Sequence, residues 1–231
     1  MEKKNTAQVL VECLKAEGVD TIFGIPGEET LDLMFAIRDS GIRFIPTRHE
    51  QGAAFMADVY GRLTGRAGVC LATLGPGATN LVTGVADAFL DGAPLVAITG
   101  QVSTDRMQLT SHQYLDLAAM FAPITKRTKQ VIRPDTVSEI VRLAFKYAEN
   151  GKPGATHIDL PKNIAKLPAN ARPMHPQHPQ VGYASPEQIS TAAKLIGSAK
   201  NPIILIGAGA VRAGASQAMR PYTSRNPSVD S

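Results

Sequence analysis

From its first residues the chain alternates two hydrophobic periods. Val9, Leu10, Cys13 and Leu14 recur at the spacing of one helix face, with Thr6 as the expected cap and Gly18 as the stop. Thr21-Ile22-Phe23-Gly24-Ile25 follows as a short run expected to be a buried strand, and Leu31, Met34, Phe35 and Ile37 mark the next helix. Ile42-Arg43-Phe44-Ile45-Pro46 predicts a second strand that gives way to a helix carrying Met56, Val59 and Tyr60 on its apolar positions. Val69-Cys70-Leu71-Ala72-Thr73 and Leu95-Val96-Ala97-Ile98-Thr99 are near-continuous apolar runs, the pattern of strands covered on both faces of a parallel sheet. A helix over 137–148 and a strand at Thr156-His157-Ile158-Asp159-Leu160 close the series. Glycine and proline punctuate the strand ends, so residues 1–166 are expected to form an α/β domain, a doubly wound parallel sheet.

The pattern weakens afterwards. Residues 167–184 carry Pro168, Pro173, Pro176 and Pro179 with His175 and His178 between them. Two histidines suggest a metal site, but in a proline-rich stretch a solvated linker is the better reading. Residues 185–219 read as the start of a second, incomplete α/β domain. Ser185-Pro186-Glu187-Gln188 opens a helix, and Ile203-Ile204-Leu205-Ile206 is expected as a strand. Gly207-Ala208-Gly209-Ala210 after that strand invites a dinucleotide-binding reading, but the fingerprint is incomplete and no βαβ unit follows. Residues 220–231 show no helical period and are expected to be a disordered tail.

Composition narrows the function classes. Apolar residues make up 44% of the chain and charged ones 19%, enough for a real core. The formal charge of +4 is mild, and basic residues cluster only at Lys126-Arg127-Thr128-Lys129, read as a solvated strand end with Lys126 set apart below. Nucleic acid is therefore excluded as a partner. Cys13 and Cys70 lie inside helical and strand patterns, which predicts reduced core residues and no metal site. No signal-peptide core or bilayer-length apolar run is present, so no membrane partner and a cytoplasmic location are expected.

Candidate chemistry begins at Arg48-His49-Glu50, where a strand gives way to a helix. Ligands gather at such strand ends, although a carboxylate in a first helical turn is also favoured by the helix dipole alone. Three further segments shift the balance: Gly24-Ile25-Pro26-Gly27, Gly75-Pro76-Gly77-Ala78-Thr79-Asn80 and Thr99-Gly100-Gln101-Val102. In this order and at these separations, they resemble the pyrimidine-binding domain of thiamine diphosphate enzymes. Within that superfamily, 6–219 is most similar to the acetolactate synthase large subunit.

The resemblance implies thiamine diphosphate as cofactor and Glu50 as the glutamate that exchanges a proton with the pyrimidine ring nitrogen. It implies that Pro26, Gly27, Gly75, Pro76 and Gly77 bring backbone close to the cofactor. Asn80 either stabilises its turn or helps form the pocket. Gln113 and Lys126 match polar positions near the reacting centre, Gln113 being also a cofactor neighbour. His112, where biosynthetic members usually have Phe, resembles the catabolic branch and is either a substrate contact or an ordinary half-exposed histidine. Glu28 stands where the family commonly has a small residue, and Lys152 stands where an Arg often contacts FAD, so FAD binding is left open. The implied reaction is decarboxylation of pyruvate and transfer of the hydroxyethyl unit to a second 2-oxo acid. Mg2+ and the diphosphate would be held by a C-terminal domain whose Gly-Asp-Gly motif is absent here; Leu90-Asp91-Gly92 is the nearest trace. The expected assembly is a homodimer or higher homo-oligomer, with a regulatory small subunit as a further partner. The alternatives are another thiamine diphosphate-dependent decarboxylase or carboligase, or a non-catalytic chain that dimerises with a full-length subunit. Glu50 argues against glyoxylate carboligase, which lacks that glutamate.

Overall fold

A computed structural model describes residues 4–108, 110–176 and 182–223, with nothing stated of the side chains of 221–223. The chain divides into two units, Met1–Gln177 and His178–Ser231. In the first, six strands form one parallel sheet: β1 (Thr21–Gly24), β2 (Arg43–Pro46), β3 (Gly68–Ala72), β4 (Leu95–Gln101), β5 (Arg127–Gln130) and β6 (Ala155–Pro161). Their order is β2-β1-β3-β4-β6-β5. Between β1 and β3 the winding reverses direction, and such a switch point opens a crevice beyond the carboxyl ends of the strands.

Helices cover both faces. On one, α1 (Thr6–Ala16), α2 (Leu31–Arg38), α6 (Val137–Glu149) and α7 (Lys162–Lys166) meet Val69, Leu71, Val96, Ile98, Ile158 and Leu160. On the other, α3 (Glu50–Thr64), α4 (Pro76–Asp91) and α5 (Leu117–Phe121) meet Cys70, Ala72, Leu95 and Ala97. Successive strand residues thus serve opposite cores, which is why both runs carry no polar alternation. The α3–α4 side is built largely from alanine (Ala53, Ala54, Ala57, Ala78, Ala88), so these helices lie close to the sheet and to each other. Cys13 and Cys70 are buried and free, as expected.

Local details depart from expectation for physical reasons. Asn5 rather than Thr6 caps α1: its Oδ1 accepts from Gln8 N at 2.8 Å while Gln8 Oε1 accepts from Asn5 N at 2.9 Å. This capping box satisfies two otherwise orphaned amides. Thr6 instead donates to Leu167 O at 2.9 Å, and Ala169 N donates to Lys4 O, so the start of the proline-rich stretch is pinned to α1. On α2 the inward pair is Leu33 and Ile37; Leu31 and Phe35 are exposed, with the Arg38 guanidinium over the Phe35 ring. The basic cluster becomes the edge strand β5, where lysine and arginine discourage pairing with further strands.

In the second unit, α8 (Pro186–Ser198) begins at a Ser185 cap, with α9 (Ala208–Arg212) and α10 (Ser216–Thr223) following. Residues 203–206 form no strand. The described residues of this unit contain no other strand to pair with, and an unpaired backbone row gains nothing by extending. The expected break in helical pattern after Arg220 is overridden through Thr223, and the rest of the expected tail lies outside the described residues. His178 also lies outside them, while His175 is exposed; no cluster of metal-ligating side chains occurs among the described residues. No described helix is long and apolar enough to cross a membrane.

Candidate functional site

Because every strand runs the same way, the segments after β1, β2, β3, β4 and β6 emerge at one end of the sheet. Glu50 begins α3 there, 9% exposed, behind a His49 cap whose Nδ1 accepts from Gln51 N at 3.2 Å. A nearly buried carboxylate survives there because the helix N-terminus favours negative charge and a donor reaches it. That donor is Asn80, in the second turn of α4, whose Nδ2 gives 2.9 Å to Glu50 Oε2.

Oε1 faces the glycine turn. A Cβ built on Gly77 would lie 3.4 Å from Glu50 Oε1 and 2.8 Å from Thr73 Cγ2, so any side chain here would fill the space beside the carboxylate. Gly75 has φ 57° and ψ −122°, a backbone shape open essentially only to glycine. A Cβ there would strike Gln113 O at 2.6 Å. The same geometry places Gln113 against the turn; Gln113 is exposed and itself held at φ 57°. Beside it, Ser111 Oγ is buried and has no hydrogen-bond partner in the structure.

The loop after β1 closes the other side. Gly27 packs against Thr73, and Thr73 Oγ1 donates to Glu29 Oε2 at 3.1 Å. Glu28 projects outward and receives Lys162 Nζ, the residue following β6, at 2.5 Å. The Lys162 hydrogen bond and charge hold the Glu28 carboxyl below its ordinary range, with nearby His112 contributing to the same shift. Glu28 reciprocally raises the Lys162 ammonium.

The sheet end therefore gathers Pro26, Gly27, Glu50, Gly75, Pro76, Gly77, Asn80, His112 and Gln113 from separate parts of the sequence. It does not gather Lys126. That residue precedes β5 at the opposite end of the sheet, where Nζ donates to Asn150 O at 2.8 Å and Lys152 O at 2.7 Å. Burial lowers its pKa. It ties two backbone carbonyls beyond the end of α6, and a cation so engaged is a structural fastener. A cation that does stand at the site end is Lys162. Its position directly after the strand-ending Leu160-Pro161 was the available sequence signal.

This arrangement offers an oriented Glu50 carboxyl beside a glycine turn packed on Thr73, with Lys162 and His112 close to Glu28 nearby. A carboxyl so placed can exchange a proton with a ring nitrogen.

Residues 4–120 match the family model described as "Thiamine pyrophosphate enzyme, N-terminal TPP binding domain". A probable acetolactate synthase large subunit from Methanocaldococcus jannaschii is 44% identical over 91% of this chain and 37% of its own length. A catabolic acetolactate synthase from Raoultella terrigena is 42% identical over 96% of the chain and 40% of its length. An acetolactate synthase from Bacillus subtilis is 41% identical over 94% and 38%. The chain thus spans about two-fifths of these relatives.

Proposed function

This chain belongs to the thiamine pyrophosphate enzyme family, and on that premise we propose that it supplies the pyrimidine pocket of an acetolactate-synthase-like carboligase. The observation that carries the reading is Glu50, anchored through Oε2 by Asn80 and facing the side-chain-free Gly77 with Oε1. Thiamine diphosphate, when bound, supplies the carbanion chemistry needed to decarboxylate a 2-oxo acid and join the remainder to another. Glu50 holds or gives up the proton shared with the aminopyrimidine nitrogen N1′. Asn80 fixes the carboxyl plane so that this transfer needs no reorientation. The Gly75–Gly77 turn keeps side chains, and the water they would order, away from the ring face.

Beside the turn, Lys162 offers positive charge and His112 a hydrogen-bonding ring to the carboxylate of pyruvate and of a second 2-oxo acid, with Gln113 as a neutral contact. Glu28 now occupies Lys162, so an entering carboxylate competes with it. Pairing of the exposed Phe55, Met56, Val59 and Leu63 on α3 with another subunit is part of the same reading, since contiguous apolar patches mark association sites. Mg2+ and the diphosphate are assigned to a further domain of the kind that the longer relatives have room for. A regulatory small subunit and a cytoplasmic location belong to the same proposal; FAD binding does not, Lys152 being engaged with Leu90 O at 3.0 Å.

The test is exchange of the cofactor's C2 proton, followed by NMR in a complete enzyme carrying this pyrimidine domain. Glu50→Gln keeps the shape and removes the proton transfer, so exchange should slow by roughly 10²–10⁴-fold, the usual worth of a positioned acid–base group. An unchanged rate would end the assignment of Glu50.

A further inference from the structure

Two of the glycines at the site end are not needed for their backbone shape. Gly27 has φ −147° and ψ 173°, an extended conformation open to any residue, and Gly77 lies in α4 without a positive φ. What leaves no room for a side chain at either is Thr73, the residue following β3. A Cβ built on Gly27 would lie 2.4 Å from Thr73 Cβ and 2.5 Å from its Oγ1, and one built on Gly77 would lie 2.8 Å from its Cγ2. Thr73 is thus wedged between two turns that are distant in sequence, and its hydroxyl donates to Glu29 Oε2 at 3.1 Å.

The loop after β1 is first closed on itself. Thr30 Oγ1 donates to Gly27 O and accepts from Gly27 N, both at 3.0 Å, and Thr30 N donates to Gly27 O at 3.1 Å. The closed loop then lies across the ends of β3, β4 and β6, which are neighbours in the sheet. Gly27 sits on Thr73, Glu29 and Thr30 sit on Gly100 of β4, and Glu28 meets Lys162 after β6. The Glu28–Lys162 pair is open to water, with 73% of the Glu28 side chain exposed, and so holds the loop weakly. The part-buried contact between Thr73 and Glu29 is the better sheltered fastening.

We propose that Thr73 is a positioning residue with two faces: its hydroxyl, through Glu29, seats residues 26–30 on the sheet end, and its methyl backs Gly77 beside Glu50. One side chain thereby sets the spacing between the two turns. The proposal rests on the reading of those turns as the pyrimidine pocket for its functional meaning, but not for its physical content. Valine keeps the shape and loses the hydroxyl, whereas serine keeps the hydroxyl and loses the methyl, so the two faces can be tested apart.

Hydrogen–deuterium exchange of the 231-residue chain, corrected for sequence-dependent intrinsic rates, tests this on wild type, Thr73→Val, Thr73→Ser, Glu29→Met and Glu29→Gln. Exchange in peptides covering 25–31 should rise about fivefold in Thr73→Val and Glu29→Met, the scale of one lost hydrogen bond, with α1 and α6 unchanged. Glu29→Gln retains an acceptor oxygen at the same reach and should stay close to wild type. Thr73→Ser should keep 25–31 protected and loosen 74–81 by about fourfold, the scale of one buried methyl. Wild-type protection of 25–31 in Thr73→Val and Glu29→Met, or one common pattern in Thr73→Val and Thr73→Ser, would overturn the proposal. If Thr73→Val fails to fold, the two Glu29 variants decide. In a complete enzyme carrying this domain, calorimetry should show the thiamine diphosphate dissociation constant raised by up to about fivefold in Glu29→Met, because binding must re-seat the loop, and restored in Glu29→Gln. Wild-type affinity in Glu29→Met would overturn the positioning role. An inert Glu50→Gln together with the expected exchange pattern would refute the pocket and leave the seating by Thr73 standing.

Discussion

Two buried ionisable groups on alternate positions of β6 should flatten the acid side of the stability curve. His157 is stacked on Phe121 at 4.1 Å between ring centroids and bonded on both nitrogens, to Thr99 Oγ1 at 2.8 Å and Thr128 Oγ1 at 2.7 Å. Burial depresses it from 6.5 to about 3, so the stability it lends is complete above 6.5 and lost as pH falls towards 3. Asp159 runs the other way: burial raises it from 3.8 to about 6, so its charge costs stability above 6 and that cost is relieved as pH falls towards 3.8. Between those last two values the native state holds one proton on Asp159 and the unfolded state holds one on the imidazole of residue 157. The proton counts match, and the pair contributes no slope.

Asp159→Asn removes the compensation. The slope from His157 is then exposed at about 1.4 kcal/mol per pH unit over about two pH units, so the variant should lose on the order of 3 kcal/mol more than wild type between pH 6 and pH 4. His157→Gln should show the mirror image, gaining a similar amount over the same range. Urea unfolding followed by far-ultraviolet circular dichroism, repeated at each pH, gives the curves. Surface carboxylates are common to all three proteins and cancel in the differences. Parallel curves for wild type and Asp159→Asn would refute the reasoning.

Gly75→Ala should cost roughly 1–3 kcal/mol for its backbone shape alone, and more for the collision with Gln113 O; Gly65→Ala, at φ 72° with open space around it, is the control. Thermal melts of the two variants should differ clearly, and equal melting temperatures would contradict the packing described at Gly75. Lys126→Met should lower stability by roughly 1–2 kcal/mol through its two freed carbonyls and leave thiamine diphosphate affinity unchanged by calorimetry. A fall in affinity would return Lys126 to the site.

Much of this fold was legible because its strands are covered on both faces: Val69–Thr73 and Leu95–Thr99 could hardly be anything but central. Glu50 was legible as a strand-end carboxylate, and the glycine turn as the place where backbone must approach something closely. Three things were hidden for identifiable reasons. The edge strand β5 carries Arg127 and Lys129, residues that suit an exposed edge and so read as surface. The Asn5 cap depends on Gln8 reaching back, a reciprocal contact that competes with an equally good Thr6. Lys126 and Lys162 are both lysines beside strands, and only the sheet direction tells which end each occupies. The buried network of Thr99 with His157 and Asp159 was invisible because Thr99 lies dozens of residues from the other two and meets them only through the β4–β6 register.

The ion cluster at the far end of α3 has a bearing on the pocket. Arg62 binds Asp58 on its own helix at 3.0 Å and reaches Asp87 and Asp91 on α4 at 2.8 and 2.9 Å. Glu50 and Asn80 join the same two helices near their first turns. The pair is thus clamped at both extremities, like the hinge and the tips of a calliper set to one opening. Twelve residues of helix, about 18 Å, separate Glu50 from Arg62. Loss of Arg62 would therefore leave the Glu50–Asn80 hydrogen bond as the polar tie at the opposite end of the same two helices.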